Sequence, residues 1–339
     1  MKESQKIARS IIFPTITALG LERFLSLGSV NNCLIIMYHG VIDDQVPRIN
    51  GRHMKRSVFV RHLDYFKRNF DVVSLGQIFS YYRNGIRPNR RSIAITFDDG
   101  YYNNYSIAAP LLKEYCIPAT FFIQGMSMDD PEYITWPDAI DILYSSNIKS
   151  ISLEGVEYKS DSKRKGYYNA GGELALVDSV KKLDPVKRNE FFQTLEINFK
   201  YMDLLRLVDN DIWKLMSNIE VRHLSQDSLF EIGSHSYSHS CLANINELYI
   251  EEELGKSKSV LEEICQKDIL SLAYPDGSYN NIVKKKSLEI GYRNLCAVDY
   301  MLDDDPNDFS ILQRHGLSAT TTASSNIVFL RRSFNSHGF

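Results

Sequence analysis

The stretch Ile93 to Gly100, read as IAITFDDG, constrains this chain more than any other. Ile93, Ala94, Ile95, Thr96 and Phe97 make a short, nearly continuous apolar or β-forming run. Such a run suits a strand buried on both faces, the situation of a parallel sheet covered by helices. Asp98, Asp99 and Gly100 follow at once, and ligands in α/β folds gather at strand ends. Two adjacent carboxylates repel each other unless a metal ion or a shared proton relieves them. Taken alone, the octapeptide also fits a strand running into an Asp-Gly turn.

The rest of the chain repeats the strand-helix alternation. Strands are expected at 33–38 (CLIIMY), 119–123 (ATFFI), 230–233, 269–273, 294–298 and 311–317, with a short extended piece at 72–75. Helical spacing of apolar residues predicts helices over 57–69, 75–84, 106–115, 247–265, 280–290 and 326–334. Residues 43–55 read as a polar loop. Repeated βα units imply a parallel sheet or barrel, with right-handed crossovers setting all strand ends on one rim. Between about 126 and 222 the alternation stops. There, helices are expected at 134–144, 184–202 and 209–216, a hairpin at 151–158 turning on Glu154-Gly155, and a polar loop at 163–172. This stretch reads as a largely helical insertion. The division is thus an N-terminal segment, 1–31, and a catalytic domain, 32–339, carrying the insertion.

Composition excludes some partners. The net charge is −3, so nothing marks a nucleic-acid surface. Five scattered cysteines without a C-x-x-C pair fit reduced thiols in a cytoplasmic protein. At the N-terminus, Lys2, Lys6 and Arg9 precede an apolar run, Ile11 to Leu21, that imitates a signal peptide. Pro14 interrupts that run, Glu22 and Arg23 end it, and it is too short to span a bilayer. It reads as two short amphipathic helical pieces that pack on the domain or touch a membrane surface. A cytoplasmic protein, peripheral at the inner membrane, is the expectation.

His235 and His239 stand in GSHSYSH, directly beyond the strand FEIG. A spacing of four places two imidazoles on one side of a helical turn, able to chelate one metal. One carboxylate with two histidines is a common zinc set that leaves positions open for water and substrate, and the other carboxylate stays free to act as a base. A third strand end carries AYPDG, Ala273 to Gly277, where a turn amide could receive an oxyanion.

TFDDG, then H-S-x-x-H, then YPxG, in this order, resembles the polysaccharide deacetylase (NodB-homology) family, carbohydrate esterase family four. The resemblance covers roughly 32–317. MYHGV and EIGSHSYSH are similar to members that accompany surface-polysaccharide biosynthesis. It implies a deformed (β/α) barrel and a divalent metal, usually zinc. It further implies Asp98 as general base, Asp99, His235 and His239 as metal ligands, and the amide of Asp276, after Pro275, as an oxyanion donor. The chain departs from the family in three places. Many members carry an Arg two residues before the motif-three Pro, where this chain has Ala273; Arg314 is the candidate substitute. The residue after that Pro is commonly aromatic, and here it is Asp276. The late Leu-x-His motif that supplies the general acid is blurred in LQRHGL, leaving His315 and His39 as rivals. The implied activity is removal of an N-acetyl group from an amino sugar, polymeric or lipid-linked. O-deacetylation of a glycan and sugar binding without catalysis are the alternatives.

Overall fold

The computed structural model describes residues 8–26 and 32–335. Lys2, Lys6 and the segment's end at 27–31 lie outside the described residues. Seven parallel strands close into a barrel: β1 (Cys33–Tyr38), β2 (Ser92–Phe97), β3 (Ala119–Ile123), β4 (Phe230–Ser234), β5 (Ser271–Ala273), β6 (Asn294–Ala297) and β7 (Ile311–Gly316). Each pairs with the next in sequence, and β7 returns to β1 with Ile35 beside Arg314. Closure pairs both edges of each of the seven barrel strands, and a short eighth strand, Asp71–Val72, also pairs with β2. This is the deformed (β/α) barrel expected, and β2 is buried along its whole length.

Alternation along the strands sorts residues into two layers. Cys33, Ile35, Ala94, Phe122, Ala273, Cys296 and Leu312 point inward. Ile36, Tyr38, Ile95, Phe97, Phe121 and Ile123 point outward and pack on helices such as Arg56–Asn69, through Phe59, Leu63 and Phe66. Helix Leu75–Arg83 adds Leu75, Ile78 and Phe79 to the inner layer. It runs from the start of β2, where Val73 N–H donates to Ile93 O at 2.9 Å, to the start of β6, where Arg83 bonds Asn294 at 2.8 Å. The N-terminal mouth is thereby plugged, and chemistry is left to the C-terminal rim.

Several connections differ from the expectation. The loop 43–55 contains strand His53–Lys55, paired in parallel with Gly40–Ile42. Only glycine fits at position 40, since a Cβ there would lie 2.1 Å from His53 Nδ1. Within the insertion, 163–172 holds a third strand, Gly166–Asn169, that completes a sheet with Ser150–Leu153 and Val156–Asp161. The hairpin turn at Glu154-Gly155 is as expected, but the insertion is more β than the sequence suggests. It has its own core, built around Trp136, Leu143, Ile151, Tyr167, Leu176 and Phe191. Residues 209–216 form one 3₁₀ turn, Asn210–Ile212, not a helix. The reason is that Lys214 O, Leu215 and Met216 N–H bond to Tyr102, Tyr101 and Gly100, so the chain is drawn out against the loop after β2. The N-terminal segment makes three short helical turns, Ala8–Ile12, Phe13–Ala18 and Leu21–Ser26, with Pro14 in the first turn of the middle one.

His62, fully buried between the helix layer and β1, bonds Tyr38 OH through Nδ1 at 2.9 Å. Burial pushes its pKa from 6.5 down to about 3. Between those values the unfolded chain binds a proton that the native protein refuses, so stability must fall as pH drops through that window. One such group contributes a slope of about 1.4 kcal/mol per pH unit. Denaturant unfolding of His62→Gln and of the parent protein, from about pH 6 to about pH 4, should show the slope reduced by about that amount in the variant.

Candidate active site

The C-terminal ends of β2, β4, β5 and β7 bring the motif residues together. Asp98 keeps the inward alternation of β2, and its N–H donates to Tyr38 O at 2.9 Å. Asp99 then turns into the left-handed region, φ 71°, followed by Gly100 at φ 76°. Asp is among the few residues that tolerate this conformation. The kink, rather than simple strand alternation, gives the two carboxylates different surroundings.

Asp98 meets Arg314. The guanidinium reaches in from β7 and forms a two-pronged ion pair, Nη1 to Oδ1 at 2.6 Å and Nη2 to Oδ2 at 2.8 Å, with Nη1 also on Thr96 Oγ1 at 3.2 Å. Both side chains are buried. Burial alone would raise the Asp98 pKa, but Arg314, then His235, outweigh it and hold the carboxyl below its ordinary value. Arg314 is thus the cation set against Asp98 in this structure. Ala273 is small and inward-facing, consistent with an arginine entering from β7.

Asp99 meets the histidines. Its Oδ1 lies 3.5 Å from His235 Nε2 and 3.1 Å from His239 Nε2. Burial raises the Asp99 carboxyl, and His239 and its neighbours lower it further, so it stays ionised. His235 Nδ1 lies 2.8 Å from Ala273 O, which fixes Nδ1 as the protonated nitrogen and presents the Nε2 lone pair to Asp99. Burial pushes His235 down to about 4, so it is neutral at pH 7. Asp99, His235 and His239 are all buried and their ligand atoms lie within 4.8 Å of one another. Oδ1 of Asp99 and Nδ1 of His239 are buried without a hydrogen bond. A carboxylate and two imidazoles converging on one point, with Asp99 Oδ1 left without a hydrogen bond, fit a divalent cation. The histidines do not share a helical turn. They sit in a loop where Ser236 and His239 have φ of 60° and 57°.

The loop's shape comes from groups that motif spacing did not reveal. Glu253, on helix Glu247–Cys265, accepts from Tyr237 N–H at 3.0 Å and Ser238 N–H at 2.9 Å. Arg188, from the insertion, donates to Ser238 O at 3.0 Å, and Trp136 Nε1 donates to His239 O at 2.9 Å. Glu253 had one legible signal, a carboxylate between Ile250 and Leu254 on a buried helical face. Arg188 and Trp136 had none, since only tertiary packing brings the insertion to the loop.

The remaining candidates divide. His39 follows β1 at the rim, is half-buried, and lies near enough to Asp98 and Asp99 to act electrostatically on both. His315 follows Arg314 on β7, in register with outward-facing Ile36, so alternation turns it to the opposite side of the strand from Arg314. Pro275 is buried and Asp276 adopts φ 54° at the end of β5. The Asp276 carboxylate leaves the rim to pair with Lys181 of the insertion at 2.8 Å.

A family model for polysaccharide deacetylase matches residues 85–167 and 207–295, together just over half of the chain. The chain belongs to the polysaccharide deacetylase family. The unmatched stretch between lies in the insertion. A relative is YxkH of Bacillus subtilis (strain 168), itself provisionally named a polysaccharide deacetylase. It is 28% identical over 102 residues, 30% of this chain, and the match spans about a third of the relative's length, 35%. Among solved structures, IcaB from Ammonifex degensii aligns over 90% of this chain and 98% of its own, with TM-score 0.57 and 15% identity. The Streptococcus pyogenes deacetylase PplD, in complex with acetate, aligns over 88% and 96%, with TM-score 0.56 and 15% identity. These two structures share the fold.

Removing one member of a buried ion pair strands the other, at a cost of about 3–5 kcal/mol. Arg314→Met and Asp98→Asn should each destabilise the protein on that scale. The double variant, which strands no charge, should recover much of the loss. Denaturant unfolding of the three variants measures the coupling; simple additivity would show that the pair is not an energetic unit.

Proposed function

We propose that the protein is a metal-dependent hydrolase that removes an N-acetyl group from an amino sugar of a polysaccharide or glycan precursor, in the building of a surface polysaccharide. The observation that carries this reading is the chemical division of the aspartate pair. One carboxylate is committed to two imidazoles and the other to a guanidinium, side by side on the rim of a deacetylase-family barrel.

Asp99, His235 and His239 would hold the divalent ion. When bound, such an ion supplies Lewis acidity, lowering the pKa of a coordinated water toward ~7 and polarising a carbonyl. Asp98, ionised and oriented by Arg314, accepts the proton from the attacking water. Its depressed pKa makes it a weak base, adequate for a water already acidified. The backbone N–H of Asp276, in the turn after Pro275 at the end of β5, would donate to the oxyanion. An amide nitrogen cannot depart as an anion, so an acid must protonate it, and His39 is the imidazole set beside the pair. Water adds to the carbonyl carbon, the C–N bond breaks, and the products are acetate and a free amine.

Acetate release should be measured from N-acetylated oligosaccharides, O-acetylated glycans and lipid-linked N-acetyl sugars, alongside elemental analysis for metal. The parent protein should carry about one zinc or other divalent ion, as one three-ligand site requires, and release acetate from an N-acetyl substrate. Asp99→Asn and His235→Ala should lose metal and activity together. Asp98→Asn should keep its metal and lose turnover by ~100-fold or more. His39→Ala should lower turnover with metal intact, while His315→Ala should change it little. Stoichiometric metal retained in Asp99→Asn, or a metal-loaded parent that binds glycans but frees no acetate, would overturn the reading.

A further inference from the structure

The N-terminal segment carries a surface that hydrolysis does not use. Its turns are fixed to the closing helix, Ala323–Ser333, and to Asn335, two residues beyond it: Thr17 Oγ1 donates to Ser324 Oγ at 2.9 Å, and Asn335 donates to Leu25 O at 2.7 Å. Yet Leu19 and Phe24 are 66% and 64% exposed, and Ile11, Ile12 and Leu21 are also exposed. A fixed backbone that holds so many large apolar side chains in water marks an interaction face.

Beside it, an open groove of about 920 Å³ separates the segment from helix Arg56–Asn69. Leu19, Leu21 and Phe24 line it together with three cations, Arg23, Arg61 and Arg68. The acidic neighbours are paired or withdrawn. Asp64 faces Arg68 at 3.9 Å, and buried Glu22 lies 4.0 Å from Arg23 and accepts from Tyr65 OH at 2.8 Å, so three arginines stand against two carboxylates and the groove keeps a positive excess. The sequence adds Lys2, Lys6 and Arg9 to the same stretch, in a chain whose net charge is −3. Among the described residues no helix is long and apolar enough to cross a membrane.

We propose that this face docks on the surface of an anionic lipid bilayer, with Leu19, Leu21 and Phe24 entering the interface and Arg23, Arg61 and Arg68 meeting lipid phosphates. Apolar side chains rimmed by arginines are the pattern that binds such a surface. The charge also decides against a second copy of the chain. A two-fold contact would set the patch's net positive charge, three arginines against Glu22 and Asp64, against itself. A bilayer rich in anionic headgroups complements them.

Co-sedimentation of the full chain with vesicles tests this. Binding to vesicles of phosphatidylcholine with phosphatidylglycerol should exceed binding to phosphatidylcholine alone by about tenfold, and should weaken in about 0.5 M sodium chloride. Leu19→Ser with Phe24→Ser should lower the bound fraction about tenfold on anionic vesicles, and Arg61→Glu with Arg68→Glu should abolish the preference for them. These side chains are on the surface, so thermal unfolding of both variants should match that of the parent. No binding to anionic vesicles, or binding that both variants retain, would overturn the proposal. So would a dimer, seen by sedimentation, that Leu19→Ser with Phe24→Ser dissolves.

Discussion

Closure of β7 against β1 is the contact on which the rest of the molecule depends. It pairs the last free edge among the seven barrel strands, and it carries Arg314 across the barrel's interior to Asp98, 216 positions away in the chain. A carboxylate so deeply buried would otherwise take up a proton, since burial favours its neutral form. The guanidinium keeps it ionised and fixes its orientation with two bonds. The plug of Leu75, Ile78 and Phe79 at the opposite mouth closes the barrel's other end, so the polar cluster can lie only on the C-terminal rim.

The rim is built from backbone conformations that side chains resist. Asp99, Ser236, His239 and Asp276 all have positive φ, and each lies in a motif loop. Such conformations persist where the surroundings over-determine them. Here the surroundings are visible: Glu253 takes two amides of the histidine loop, and Arg188 and Trp136 take two of its carbonyls. The aspartate turn is held from the other side, where Gly100 O and Tyr102 N–H bond the drawn-out chain at 214–216. The insertion is therefore a brace for the histidine loop as well as a small hydrophobic unit of its own.

The rim's charges come from several different strands and from the insertion. The residue two before Pro275 is Ala273, and its carbonyl orients His235 while its small side chain faces the interior. The positive charge comes instead from β7. Asp276, where an aromatic residue is common in the family, ties the same turn to Lys181.

The order of strands, the barrel and the residues of the aspartate and histidine motifs were legible in the sequence. Apolar periodicity and motif order are local properties, and a strand buried on both faces has few other ways to read. Tertiary structure alone decided the rest. His39 and His315 were equal rivals by position, and the register of β7 on β1 shows only that His315 faces the opposite side of its strand from Arg314. The histidine spacing suggested a helical turn, but left-handed residues stabilised by Glu253, Arg188 and Trp136 made it a loop. The third strand of the insertion and the extended chain at 213–216 take their shape from partners remote in sequence, and no local pattern encodes them. The pairing of Arg314 with Asp98 is the clearest case. The sequence supplied both charges, but only closure of the barrel, which sets their distance and excludes water from between them, makes them a pair.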